Sequence, residues 1–245
     1  MRTETSARER LIVALDVDTL TEALQMVGRL GDDVSFYKVG LQLFMAGGLT
    51  IVKRIVEEGK KVFLDLKIDD TPRTVQEAVR TSAMNGVEFF TLQGNADTAR
   101  AARAGRGQRS TPKFLQVTYL SSWDSSDLLD HLHADPGAGK SSIDDQVVHR
   151  ARRILDSGCD GVIASGTSVS RLRREFPELL IVTPGIRPSG ASSDDHKRSM
   201  TPIEAISSGA DYLVVGRPIR SSNDPKATAH RIQQEIEQAL RSRAA

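Results

Sequence analysis

Residues 61–92 read KVFLDLKIDDTPRTVQEAVRTSAMNGVEFFTL, and this stretch decides the fold. Residues 61–66 (KVFLDL) at one end and 87–92 (VEFFTL) at the other are apolar, β-rich runs, each of strand length. Between them, 73–84 carries apolar residues at helical spacing, and Gly86 stands where a left-handed residue closes a helix before the next strand. Strand, helix and strand in this order form a βαβ unit, which lays two strands parallel through a right-handed crossover.

The same rhythm runs outward in both directions. Strand-like runs recur at 11–15 (LIVAL), 35–39 (SFYKV), 113–118 (KFLQVT), 161–164 (GVIA), 179–183 (LLIVT) and 212–215 (YLVV). Helical spacing occupies 21–30, 50–58, 144–156 and 202–208, and Gly31, Gly59, Gly158 and Gly209 fall between a helix and the strand that follows. Near-continuous apolar strands separated by helices make a parallel sheet buried on both faces. Eight such units in 245 residues predict an α/β fold, a (β/α)8 TIM barrel, as a single domain over 1–245. The alternative, a doubly wound open sheet, ordinarily carries a Gly-rich loop after its first strand, where this chain has Asp16-Val17-Asp18-Thr19. Residues 1–10 read as an N-terminal tail, 226–243 as an amphipathic closing helix, and the polar stretches 121–142 and 189–200 as candidate active-site loops.

Composition narrows the class. Hydrophobic residues make up 39% and charged residues 27%, enough for an ordinary core. Thirty-three Lys and Arg nearly balance 32 Asp and Glu, leaving a net charge of +1, so no overall attraction to nucleic acid or membrane is expected. The one cysteine, Cys159, excludes an intrachain disulfide framework and reads as a packing residue. The five histidines, His131 and His133 among them, show no metal-ligand spacing, and no metal site is expected. No apolar run approaches the ~20 residues of a membrane span, and residues 1–10 lack a secretory signal's apolar stretch. A cytoplasmic protein is expected.

A barrel places its chemistry at the C-terminal ends of its strands, and charge is concentrated there. Asp16 ends the first strand, Lys38 lies inside the second, and Asp65, Lys67 and Asp70 end the third. Ser121 follows the fifth, Arg187 the seventh, and Gly216-Arg217 the eighth. Each has a plain structural alternative. Asp16 suits a helix N-cap, the Asp65–Lys67–Asp70 group suits a surface ion-pair cluster, and Arg217 suits a sheet edge. Against this, a lysine within a barrel strand is costly to bury without partners. Asp65 and Lys67 alternate with Leu64 and Leu66, so both project from one face of the strand. Gly216-Arg217 also suits phosphate, through exposed backbone N–H and a bidentate guanidinium. On six strand ends together, these residues point to an active site. Trp123 suits either packing of the long loop or lining of that site.

Residues 65–74, DLKIDDTPRT, resemble the signature of the orotidine 5'-monophosphate decarboxylase family. The resemblance extends in the family's order through Ala14-Leu15-Asp16, Tyr37-Lys38-Val39-Gly40, residues 117–122 (VTYLSS), 183–188 (TPGIRP), 195–198 (DHKR) and 215–218 (VGRP). It implies a (β/α)8 barrel that converts orotidine 5'-monophosphate to uridine 5'-monophosphate and CO2 in de novo pyrimidine biosynthesis, without a cofactor. It further implies a homodimer with active sites at the interface, and a small-molecule nucleotide as substrate. Lys38, Asp65, Lys67 and Asp70 would form a catalytic charged array, with Lys67 as proton donor to C6. Asp70 and Thr74 would reach into the partner's site, and Asp16, Lys38, Asp70 and Thr74 would hold the ribose side. Ser121 would lie by the pyrimidine, and Arg187, His196, Gly216 and Arg217 would belong to the nucleotide and phosphate site.

The chain departs from the family at Asp69, where His is frequent, at Arg73, where Asn is frequent, at Gln93, where His is common, and at His196, where Gln is usual. None removes a member of the charged array. Two alternatives stand beside this reading. One is a related Mg-dependent sugar-phosphate decarboxylase or aldolase barrel, whose acidic residue on the second strand is here Lys38. The other is a catalytically silent nucleotide-phosphate-binding barrel.

Overall fold

The computed structural model describes residues 5–120, 122–123, 126–127, 142–188 and 199–244. Eight parallel strands follow one another in chain order around a closed barrel. They are β1 (Leu11–Ala14), β2 (Phe36–Gly40), β3 (Lys61–Ile68), β4 (Val87–Leu92), β5 (Lys113–Val117), β6 (Gly161–Ile163), β7 (Leu180–Thr183) and β8 (Tyr212–Val215). Closure is made where Ile12 of β1 pairs with Val214 of β8.

The helices are α1 (Ala7–Arg10), α2 (Leu20–Leu30), α3 (Leu41–Glu57), α4 (Pro72–Met84), α5 (Ala96–Arg106), α6 (Ile143–Leu155), α7 (Ser168–Glu175), α8 (Pro202–Ser208), α9 (Arg217–Arg220) and α10 (Pro225–Ala244). Capping boxes start several of them, as at Thr19 with Glu22 and Thr201 with Glu204. Among the described residues, no helix is long and apolar enough to cross a membrane. The structure extends two readings. The helix expected over 50–58 begins at Leu41 and kinks at Gly48 (φ 54°), because Gly47-Gly48 interrupts its apolar pattern without ending it. Within the expected tail, residues 7–10 form a helical turn. There Arg10 donates to the Asp211 carbonyl at 2.9 Å and ties the turn beneath β8.

Two apolar layers follow from the two-residue period of the strands. Leu11, Val13, Tyr37, Val39, Val62 and Leu64 belong to the outer layer, with helix residues such as Ala23, Leu43, Ile55 and Val79. Ile12, Ala14, Phe36, Phe63, Phe89, Leu115, Val182 and Val214 form a separate inner cluster. Its rings meet edge-on, with Phe36–Phe89 centroids 5.0 Å apart, Phe63–Phe89 6.0 Å and Phe89–Tyr212 5.1 Å. They plug the barrel with apolar surface. One more step of two along each strand leads from Ile12 and Ala14 to Asp16, from Phe36 to Lys38, from Phe63 to Asp65 and from Phe89 to Thr91. The polar residues therefore form the next layer above the aromatic plug.

Candidate active site

Above the plug lies a cavity of about 500 Å³, reached by Asp16, Lys38, Asp65, Lys67, Arg187, Gly216 and Arg217. Lys38 is 9% exposed. Its Nζ lies 2.8 Å from Asp16 Oδ1 and 3.6 Å from Asp65 Oδ2. The Lys67 Nζ lies 2.9 Å from Asp65 Oδ1. Asp16, Lys38, Asp65 and Lys67 thus form one alternating chain of charge across three strand ends.

Asp65 is the node of that chain. Burial works to raise its pKa. The Lys38 and Lys67 ammoniums, with hydrogen bonds from Lys67 and Thr91, outweigh burial and hold the carboxyl below its usual value. Asp65 is consequently a carboxylate at neutral pH, fixed between two cations on an apolar floor.

Lys67 reaches its place by a route that simple alternation does not describe. Leu64 of β3 pairs with Phe90 of β4, and the next pair is Ile68 with Leu92. Asp65, Leu66 and Lys67 therefore bulge opposite the single residue Thr91. Lys67 has φ of 52°, the one non-glycine residue at positive φ among the described residues. Such backbone is costly for a side-chain-bearing residue and persists where its surroundings impose it.

Asp70 and Thr74 stand apart from this array. Both are exposed. The Asp70 Oδ1 accepts from the Thr71 N–H at 2.6 Å, and the Thr74 hydroxyl lies 3.0 Å from that of Thr71. Among the described residues Asp70 makes no ion pair, and Lys67 meets Asp65 alone rather than two carboxylates. Asp69 turns from the cavity toward α5, where its Oδ1 accepts from the Thr98 hydroxyl at 3.4 Å.

Arg187 is buried, and its backbone N–H donates to the Met200 carbonyl at 2.9 Å, which ties the end of β7 to residue 200. Ser121, His196 and nearly all of the loops expected at 121–142 and 189–200, with His131 and His133, lie outside the described residues. Trp123 is partly buried and packs on Tyr119, a residue that lines the cavity, their rings 5.9 Å apart. Burial, with the nearby Asp160 charge, pushes the Cys159 thiol up to about 12, in keeping with a packing role.

The reading from sequence missed Thr91 and Arg220. Thr91 is fully buried beside Asp65. Its one local signal is its position two residues after Phe89. Arg220 lines the cavity one helical turn after Arg217. Among the described residues, two carboxylates then face two lysines and three arginines around one cavity. That excess of positive charge suits a ligand with several negative charges.

Comparison with known proteins bears on the fold and the family. The sequence profile described as "Orotidine 5'-phosphate decarboxylase / HUMPS family" matches residues 9–232. An orotidine 5'-phosphate decarboxylase of Nitrobacter winogradskyi is 47% identical over 236 residues, covering 96% of this chain and 95% of that protein. One from Rhodopseudomonas palustris is 46% identical, covering 95% of this chain and 96% of that protein. The crystal structure of orotidine 5'-phosphate decarboxylase from Lactobacillus acidophilus superposes with a TM-score of 0.78 at 36% identity, covering 92% of this chain and 98% of that one.

Proposed function

The chain belongs to the orotidine 5'-phosphate decarboxylase / HUMPS family and is a carboxy-lyase that decarboxylates orotidine 5'-monophosphate in pyrimidine biosynthesis, and on that premise we propose that Lys67 protonates C6 of the pyrimidine. The observation that carries this assignment is the 2.9 Å pair between the Lys67 ammonium and Asp65 on the floor of the cavity.

Breaking the bond from C6 to the carboxylate leaves an electron pair in an sp² orbital that no conjugated group can delocalise. The barrel has to meet that charge with groups already in place. The substrate carboxylate lies against Asp65, and their repulsion ends as CO2 departs. The Lys67 ammonium faces the pair that remains at C6 and transfers a proton to it. Uridine 5'-monophosphate results, and the lysine regains its proton from water. Lys38, held by Asp16 and Asp65, orients the array and the ribose. Gly216, Arg217 and Arg187 hold the phosphate end, where the arginines of the cavity gather. Ser121 and His196 are assigned to the pyrimidine and phosphate contacts. Binding the phosphate, remote from the reacting bond, supports the geometry the transition state needs.

We further propose a homodimer in which the Asp70 and Thr74 of one chain complete the site of the other. Their exposure, and the absence of a second carboxylate at Lys67 among the described residues of its own chain, support this reading. A cytoplasmic location is in keeping with a free nucleotide as substrate.

The decisive assay follows the absorbance of orotidine 5'-monophosphate on addition of the intact protein, with and without EDTA. Turnover at equal rates in both is the expected result. Turnover that EDTA abolishes would overturn the cofactor-free assignment, and no turnover in either would favour the catalytically silent barrel.

A further inference from the structure

The Thr91 hydroxyl lies where the two ends of the β3 bulge come together. It accepts from the backbone N–H of Lys67 at 2.9 Å and donates to Asp65 Oδ1 at 3.1 Å. The same Asp65 oxygen receives the Lys67 ammonium at 2.9 Å. A closed ring of hydrogen bonds therefore runs from the Lys67 amide through the threonine and the aspartate to the lysine's own side-chain nitrogen. Thr91 is fully buried, and it is the β4 residue opposite the bulge.

Regular parallel pairing would give the Lys67 N–H a backbone carbonyl. The bulge removes that register, and the positive φ of Lys67 leaves its N–H dependent on a side chain. A hydroxyl is suited to this place because it accepts and donates at once. It holds the unusual backbone of Lys67 and, through the same oxygen, directs one lone pair of Asp65. An apolar side chain of equal shape would satisfy neither group.

We propose that Thr91 is a positioning residue for the decarboxylation, setting the Lys67 ammonium and the Asp65 carboxylate in register for proton transfer to C6. The inference rests on Lys67 being the proton donor. Thr91 is fully buried and is not among the residues that line the cavity, so its expected effect is on the chemical step and not on ground-state affinity.

Thr91→Val keeps the shape and removes the hydroxyl. Its kcat is expected to fall by roughly 10- to 100-fold, since a misplacement of about 1 Å is that costly. KM and the affinity for uridine 5'-monophosphate should stay within about threefold of the parent, as for an interaction expressed only in the transition state. Thr91→Ser, which keeps the hydroxyl, should restore kcat to within about threefold. A parental kcat in Thr91→Val, or an equal loss in Thr91→Ser, overturns the proposal. Should the valine variant fail to fold, Thr91→Ser and Thr91→Ala decide, since they differ by the hydroxyl alone. Equal kcat in that pair also overturns it. Lys67→Ala measured in parallel separates the two levels. Normal turnover there sinks the Lys67 assignment itself, whereas an inactive Lys67→Ala beside an unimpaired Thr91→Val sinks the role of Thr91 alone.

Discussion

A methyl group on Gly40 would stand 2.8 Å from the Nζ of Lys38, and 3.0 Å from the Asp16 oxygen to which that lysine is paired. The backbone of Gly40 is at φ −91°, which any residue adopts. The glycine therefore leaves room for the ion pair, whose flexible side-chain ends a methyl group would push aside, and the backbone conformation does not demand it. Gly40→Ala is expected to fold with a stability change within about 1 kcal/mol. It should displace the Lys38 ammonium and lower kcat/KM by at least about tenfold. Chemical denaturation and steady-state kinetics on the same preparation test this, and unchanged kinetics would show that Lys38 has room to spare.

Lys67→Ala removes both the proposed acid and the cation facing C6. Turnover should fall by at least about 10³-fold, within the range for removal of a positioned acid. Calorimetric titration should still detect binding of uridine 5'-monophosphate, which carries no C6 carboxylate. Near-parental turnover would refute the assignment of the proton donor.

The proposed dimer is tested by complementation. Lys67→Ala and Asp70→Ala are each expected to be nearly inactive. In a mixed dimer, one site would have both residues intact and the other neither. Differently tagged chains, exchanged and purified through both tags, should recover up to roughly half the activity per parental site pair if Asp70 acts across the interface. Confirmed mixed dimers without activity would place Asp70 in the service of its own chain.

Asp65 links stability to acid. Its carboxyl is held below the ordinary value of 3.8 in the folded chain. The linked stabilisation is therefore complete above the unfolded value and is lost as pH falls through the lower folded value. Denaturant unfolding should show the parent losing stability below about pH 4 more steeply than Asp65→Asn, which has no proton to bind there. Parallel pH profiles for the two proteins would contradict the shift.

Arg217 is assigned to the phosphate. Arg217→Ala should raise KM for orotidine 5'-monophosphate by roughly 10- to 100-fold, the worth of a charge-assisted hydrogen bond. Turnover of orotidine, which has no phosphate, should be unaffected by the same substitution. An equal loss on both substrates would show that Arg217 acts on the barrel and not on the phosphate.

The alternation of apolar strands and spaced helices was sufficient to define the barrel, because strand and helix periods are local properties of the chain. The same local period placed Lys38 two residues above Phe36 and Asp65 two above Phe63, so the heart of the array was legible in the residues themselves. The helical turn over residues 7–10 has a local signal in its Ser6–Glu9 capping box, which the reading as a tail passed over, whereas its docking through Arg10 on the distant Asp211 carbonyl belongs to the fold. Tertiary structure alone decided how Lys67 reaches Asp65. Strict alternation along β3 predicts that they share a face. The chain instead bulges over 65–67 and takes positive φ at Lys67, because β3 advances four residues while β4 advances two. That difference in register belongs to the pairing of two strands and is written in neither one. For the same reason Thr91, Arg220 and the clearance at Gly40 emerged only with the fold. Thr91 and Arg220 matter through residues in another strand or a helical turn away, and the clearance at Gly40 matters because Asp16, from another strand end, holds the Lys38 ammonium beside it. Such distances are set by barrel closure and not by sequence spacing.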